Sequence, residues 1–333
     1  MATVYWDGST DGDYSNAANW TGGLPGAADT VIFDGRTTQA VTSNLTEADD
    51  LARVHIMPSC TYNIGAGTST TYWEFQCTGS VIIEGSGTYY IRCGNGTAAD
   101  TDITTVIVDT SGTVHLASEL NANAGNVSIF DEIRVINGTV NIKGKADIAD
   151  TGGQDGTAFT KLYIAPSSGS TPTVNIGDQC ADLKNTVGGD IHINGGTCNF
   201  HCFVANVFQY AGTVNCGSTS YSMDGSATVP DDHITNIFLY TGTFNWLPST
   251  VSAGVRTVCP HSPVITAATL LGGTFSATSL LETGTTAPTI TDVIGHSNAT
   301  FNIANGYSNV SVGTFQNFGA TLVMSSDQTL NLT

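Results

Sequence analysis

Two groups of side chains in this sequence have the residue types and spacing to do chemistry. The first is Asp231, Asp232 and His233 in "VPDDHI", with Asp224 a few residues upstream. Glycoside hydrolysis needs two carboxyl groups flanking a sugar bond, one to protonate the leaving oxygen and one to act as base or nucleophile. The plainer reading is a polar loop, because Asp-Asp after proline suits a turn. The plainer reading is preferred here. The nine Lys and Arg are scattered singly, and neither a Gly-His-Gly nor an Arg-Ile-Lys run occurs.

The second group is "DGSTDGD", which sets Asp7, Ser9, Asp11 and Asp13 at alternating positions with Gly12 after the third. That is how a calcium loop of the EF-hand type begins. Its twelfth position, however, must be a bidentate Glu, and here it is Ala18. A solvated acidic turn is the expectation, with calcium as the alternative and no other cofactor implied. The remaining histidines (His55, His115, His192, His201, His261, His296) stand singly in or beside alternating runs, and outward positions on a sheet suit them better than ligation. None of the eight cysteines forms a Cys-x-x-Cys pair. Cys198 and Cys202 are four apart with no second pair to complete a zinc site, so buried free thiols are expected. No Gly-x-Ser-x-Gly elbow or phosphate-binding glycine loop is present.

The composition describes what must hold these groups. Only 11 % of the 333 residues are charged, against about 25 % in ordinary domains. Gly, Thr, Ser and Asn take the place of Lys and Glu, which favours turns and strands over helices. The net charge is −19 with nine cations. Nucleic acid is therefore an unsuitable partner, since binding it requires basic groups to displace counterions. Anionic membrane surfaces are disfavoured for the same reason. No apolar run is long enough to cross a bilayer. The start, "MATVYWDG", shows no secretion signal, so synthesis and folding in a cytoplasm are expected.

An internal repeat organises the chain. Its signature is Gly, Thr, an apolar residue, a polar residue and a second apolar residue. Copies read GSVII (79–83), GTVHL (112–116), GTVNI (138–142), GTCNF (196–200), GTVNC (212–216), GTFNW (242–246) and GTFSA (273–277). PTVNI (172–176), ATFNI (299–303) and ATLVM (320–324) keep the pattern without the leading glycine. Alternation sends the two apolar positions to one face, among them Val140, Ile142, Phe244, Trp246, Phe301, Leu322 and Met324, and sends Thr and Asn to the other. Many copies follow a second alternating run, as in "IRVINGTVNI", which reads as strand, short turn, strand. The copies lie 16 to 34 residues apart, an interval that suits coils of a solenoid. Stacked coils also account for the low charge, because like charges repeated about 4.8 Å apart repel and Thr or Asn do not.

The sequence thus predicts an all-β fold: a single-stranded parallel β-solenoid, or β-helix, over residues 51–333. An N-terminal cap or attachment segment over 1–50 precedes it. A β-sandwich or jelly roll is the alternative. A solenoid needs a cap because its terminal coil exposes an apolar interior and an unpaired edge; Trp6 and Trp20 are the expected plugs. Residues 150–160 and 217–232 lack the signature and are expected to loop out. "LTEADDLARV" (45–54) is the one place where a turn or two of helix is expected.

The opening segment carries a resemblance. "WDG", "GDYSNAANW" and "GLPGAADTVIF" resemble the W…NW…G-x-P…D-x-V stretch that precedes the coils of β-helical repeat proteins in phage particles and on bacterial surfaces. The likeness covers about 30 residues closely and the rest only in repeat style, so it implies fold more than function. Together with the repetitive low-charge sequence and the lack of a coherent catalytic group, it leads to one main expectation. This is a non-enzymatic structural protein of a bacteriophage virion, either a capsid decoration (cement) protein or a fibre or spike component. It would be homotrimeric by analogy, would contact major capsid or tail proteins, and could meet host surface glycans. The alternatives are a carbohydrate-active β-helix, either depolymerase or lyase, working through Asp231 and Asp232, and a secreted adhesin at the cell surface.

Overall fold

The computed structural model describes residues 2–66, 72–93, 101–118, 128–145, 157–176, 188–200, 204–216, 233–246, 250–252, 255–257, 264–277, 289–303, 311–324 and 331–332. It divides into two compact units, Met1–Thr186 and Val187–Thr333. Each is a stack of parallel β coils.

In the first unit three inner columns run along the stack. Val4, Val31, Val54, Val81, Val106, Ile133 and Leu162 form one, paired in register from coil to coil. Val41, Ile64, Tyr89, Val114, Val140 and Val174 form the second. Leu51, Cys77, Ile103, Phe130 and Phe159 form the third. All of these side chains are buried. Each Val, Ile or Phe so buried contributes about 1.5–3 kcal/mol of transfer free energy, which makes the shared dry interior the main source of stability.

The second unit repeats the plan. Its columns are Ile191, Val207, Ile237, Ala268 and Val293; Cys198, Val214, Phe244, Phe275, Phe301 and Leu322; and Val204, Ile234, Ile265, Ile290 and Val312. Phe244 stacks on Phe275 with ring centroids 5.2 Å apart. Phe301 and Trp246 are buried too. Among the described residues antiparallel pairing is confined to Thr3–Trp6 with Trp20–Thr21, Thr250–Ser252 with Val255–Thr257, and a bridge between His296 and Gly319. The sandwich and jelly-roll alternative requires antiparallel sheets, and the parallel ladders exclude it.

The expected turn is in some repeats a bend in one continuous strand, whereas in "IFLYTGTFNW" it separates His233–Leu239 from Thr243–Trp246. Val204–Cys216 contains the whole of "VFQYAGTVNC", and both arms pair with the same neighbouring strand, Val207 with Ile191 and Val214 with Cys198. The bend falls at a left-handed glycine, Gly212 with φ +80°. Gly242 repeats it at φ +92°, and a Cβ there would lie 2.4 Å from the Gly212 carbonyl oxygen. At this stacked corner there is no room for a side chain, so glycine at the head of GTFNW has a steric reason.

The structure corrects several expectations. Residues 46–51 form a strand, Thr46–Leu51, and not a helical turn, because they have a ladder to join beside Trp73–Ile83. GSVII does not stack on GTVHL: Val81 pairs with Val106, in a different inner column. The segment that stacks on GTVHL is Thr88–Cys93, with Tyr89 opposite Val114. Its "GTYYI" (87–91) is a copy of the signature that sequence reading passed over, its second polar slot being taken by Tyr90. Leu322 is 36 % exposed and Met324 half-buried, since no described strand lies on the far side of Thr321–Val323 to close the inner face over them. Residues 157–160, expected to loop out, belong to the strand Thr157–Ile164. Residues 217–232 lie outside the described residues.

Candidate functional site

The acidic opening loop is built around one buried side chain, Asn19. It ends a short 3-10 turn, Ala17–Asn19, whose first N–H groups are capped by Asn16 Oδ1 accepting from Ala18 N at 3.1 Å. Asn19 Oδ1 accepts the backbone N–H groups of Thr10 (2.9 Å) and Asp11 (3.2 Å). Its Nδ2 donates to Asp11 Oδ1 (2.6 Å) and to the Asp13 carbonyl (2.9 Å). Its own carbonyl accepts from Asp7 N and Gly8 N. One amide therefore satisfies the turn that carries all three aspartates.

Each carboxylate serves the loop. Asp7 Oδ1 accepts from Ser9 N at 3.0 Å, and Asp11 Oδ1 accepts from Asp13 N at 3.0 Å. Asp13 accepts from Ser15 N, Ser15 Oγ and Asn44 Nδ2 at 2.9, 2.8 and 2.7 Å. Hydrogen bonding to Asn19, then to Asp13 N, holds the Asp11 carboxyl below its ordinary value. The Ser15 hydroxyl does the same, as the largest cause, for Asp13. Among the described residues no three His, Cys, Asp or Glu side chains stand together as a metal-holding set.

Behind the loop lies an aromatic cluster. Trp6 and Trp20, the expected plugs, meet edge to face at 5.2 Å, and Trp20 contacts Tyr14 and Phe33 at 5.0 and 5.8 Å. Trp73 contacts Tyr14 and Phe33 in turn. Trp6 Nε1 donates to the Gln39 carbonyl at 3.0 Å and Trp20 Nε1 to the Tyr14 carbonyl at 2.8 Å. The strand Trp20–Thr21 covers one edge of Thr3–Trp6, whose other edge pairs with Thr30–Phe33.

Of the carboxylate pair weighed for sugar cleavage, Asp231 and Asp232 lie outside the described residues, as does Asp224. His233 begins the strand His233–Leu239, opposite Val264. The other described histidines occupy outer columns. His115 stacks on Tyr90 at 4.4 Å and His192 on Phe208 at 4.7 Å. His296 lies against Phe318 at 5.5 Å, and His55 Nε2 meets Glu84 Oε2 at 2.7 Å. His201 and His261 lie outside the described residues. Cys60, Cys77 and Cys198 are buried free thiols, and Cys216 is buried as well.

The outer faces carry their own columns. Asn245 donates to Asn215, and Asn215 to Asn199, at 2.8 and 2.7 Å. Asn236 donates to Asn206 and Asn206 to Asp190 at 2.8 and 2.6 Å. In the first unit Asn175 donates to Asn141 at 2.8 Å. Beside the asparagines of the second unit runs an unbroken rank of threonines, Thr197, Thr213, Thr243, Thr274, Thr300 and Thr321, paired in register. Nearer the corner, the exposed Tyr210 and Tyr240 rings stack at 4.8 Å.

Stacked parallel coils with dry inner and hydrogen-bonded outer columns define a β-solenoid protein. Nothing narrower comes from comparison with known proteins: no family model, curated protein or solved structure matches the chain.

Proposed function

We propose that this chain is a non-enzymatic structural protein of a bacteriophage particle, working as a capsid decoration or cement protein or as part of a fibre or spike. The observation that supports this reading is the outer surface of the second unit. It is laid out as repeating columns of neutral side chains bonded to one another along the stack, as in Asn245, Asn215 and Asn199. Side chains bonded to their own neighbours stiffen a stack of coils, and a stiff element that locks or projects is what such a particle uses. In this reading the chain assembles as a homotrimer against major capsid or tail proteins, and the opening segment is where it docks.

Mass spectrometry of purified particles tests the proposal. Hundreds of copies per particle mean decoration, and a few mean fibre or spike. Absence from the particle overturns the reading, and release of sugar from host polysaccharide by the purified chain replaces it with the enzymatic one. Light scattering on the purified protein tests the trimer separately, since a mass of 34.5 kDa at high concentration would be the monomer.

A further inference from the structure

One outer side of the second unit carries a long neutral pair of ranks in a chain that is acidic overall; the first unit has a shorter threonine rank, Thr88, Thr113, Thr139 and Thr173, with His115 in the rank beside it. The threonine rank from Thr197 to Thr321 stands beside a second rank, Asn199, Asn215, Asn245, Ser276 and Asn302, two residues further along each strand. The residues between the ranks, such as Val214 and Phe244, are buried, whereas Thr213, Asn215, Thr243 and Asn245 are half-buried and face outward. Neither rank contains an acid or a base, in a protein of net charge −19. A partner for such a face is uncharged.

The face is also ordered before any partner arrives. Threonine is stiff at χ1 because it branches at Cβ. The Asn amides at 199, 215 and 245 hold one another at 2.7 and 2.8 Å. Groups fixed in this way pay little ordering entropy on binding. The net they form repeats in two directions: about 4.8 Å from coil to coil, and about 6.7 Å from one rank to the other.

Water in a crystal presents a net of the same kind. With O–H···O distances of about 2.75 Å, tetrahedral geometry sets second neighbours about 4.5 Å apart and the layer repeat of hexagonal ice at about 7.3 Å. The mismatch of about 0.3 Å per coil accumulates to only about 1.5 Å over the six coils, under half a lattice repeat. We propose that this Thr/Asn face binds ice: the hydroxyls and amides hold lattice waters and the threonine methyls fill the gaps between them. A neutral polysaccharide is the weaker match. Sugar rings are gripped by open aromatic faces, and the neighbouring Tyr210 and Tyr240 rings lie nearly parallel, each covering a face of the other. The inference goes beyond the structural role proposed above and does not depend on it.

The test is growth of a polycrystalline ice hemisphere in a dilute solution of the full chain, with serum albumin as reference, alongside a recrystallisation assay. The expected result is incorporation into the ice at several times the albumin level and arrested grain growth. Thr243→Tyr and Thr274→Lys, both placed mid-rank, should reduce incorporation to the albumin level while the thermal melt keeps its midpoint within a few degrees. Thr291→Tyr, exposed and outside both ranks, should leave incorporation unchanged. Exclusion of the wild-type chain from ice overturns the proposal. So does full activity in a folded mid-rank variant, and so does binding to insoluble neutral polysaccharide, or self-association through this face, without ice activity.

Discussion

Asn206 donates through Nδ2 to Asp190 Oδ1 at 2.6 Å, and the two residues stand opposite each other on adjoining coils. An ionised carboxylate can only accept, so Asp190 fixes the direction of its column: Asn206 donates to it, and Asn236 donates to Asn206. A carboxylate fits at the accepting end of such a column and nowhere else. Asp190→Asn is therefore expected to be nearly neutral. Asn206→Asp removes the donor and sets two carboxylates opposite each other, for a loss of about 1.5–3 kcal/mol at neutral pH. Urea denaturation of the two variants checks the asymmetry; equal effects would sink it.

The opening loop depends on Asn19. Asn19→Ala strands the backbone N–H groups of Thr10 and Asp11 and is expected to cost about 1–3 kcal/mol. The readout is the denaturation midpoint followed by tryptophan emission, since Trp6 and Trp20 pack directly behind the loop.

Acid should loosen the same loop. The carboxyls of Asp11 and Asp13 are held below their ordinary value of 3.8. Groups whose folded value is depressed stabilise the fold fully above the unfolded value, and that contribution is lost as pH falls through the folded value. Emission from Trp6 and Trp20 should hold steady from neutrality down to about pH 5 and change below about pH 4. A transition centred near pH 6 would contradict the assignment.

Corner glycines should resist substitution. Gly242→Ala puts a Cβ 2.4 Å from the Gly212 carbonyl oxygen at a φ of +92°, at a cost of at least about 1–2 kcal/mol from the left-handed backbone alone. Gly169 has φ +86° but open space around it. Gly169→Ala should therefore show the backbone cost without the clash, and calorimetry on both separates the two.

Thiol reagents report the dry interior. Burial pushes the Cys198 thiol up to about 12 and raises Cys60 and Cys77 as well. An aromatic disulfide reagent at pH 8 should leave these three unmodified in the native protein and label them only after denaturant is added. Rapid native labelling at Cys198, located by peptide mapping, would show the interior column to be open.

Much of this architecture was legible in the sequence because β alternation has a period of two. The alternation in GTVNI, GTFNW and ATFNI assigned Val140, Ile142, Phe244, Trp246 and Phe301 to the inside and Thr and Asn to the outside, and all five apolar side chains are buried. The acidic turn was legible too. Its centre was not: Asn19 looked like one more asparagine in a sequence full of them, and its role depends on four polar groups from Thr10, Asp11 and Asp13 converging on it.

The sequence alone determined which residues face inward, that the strands repeat, and that the repeats are neutral enough to stack. Which copy lies on which was decided only in three dimensions. Val81 belongs with Val106 and Tyr89 with Val114, although GSVII and "GTYYI" each share two residues with GTVHL. The physical reason is that alternation is local, while the register between coils depends on how many residues each corner and connection consumes. Closure also lies beyond local pattern: Leu322 carries the same signature as Phe301 but remains exposed, because burial requires a neighbour and not merely a face.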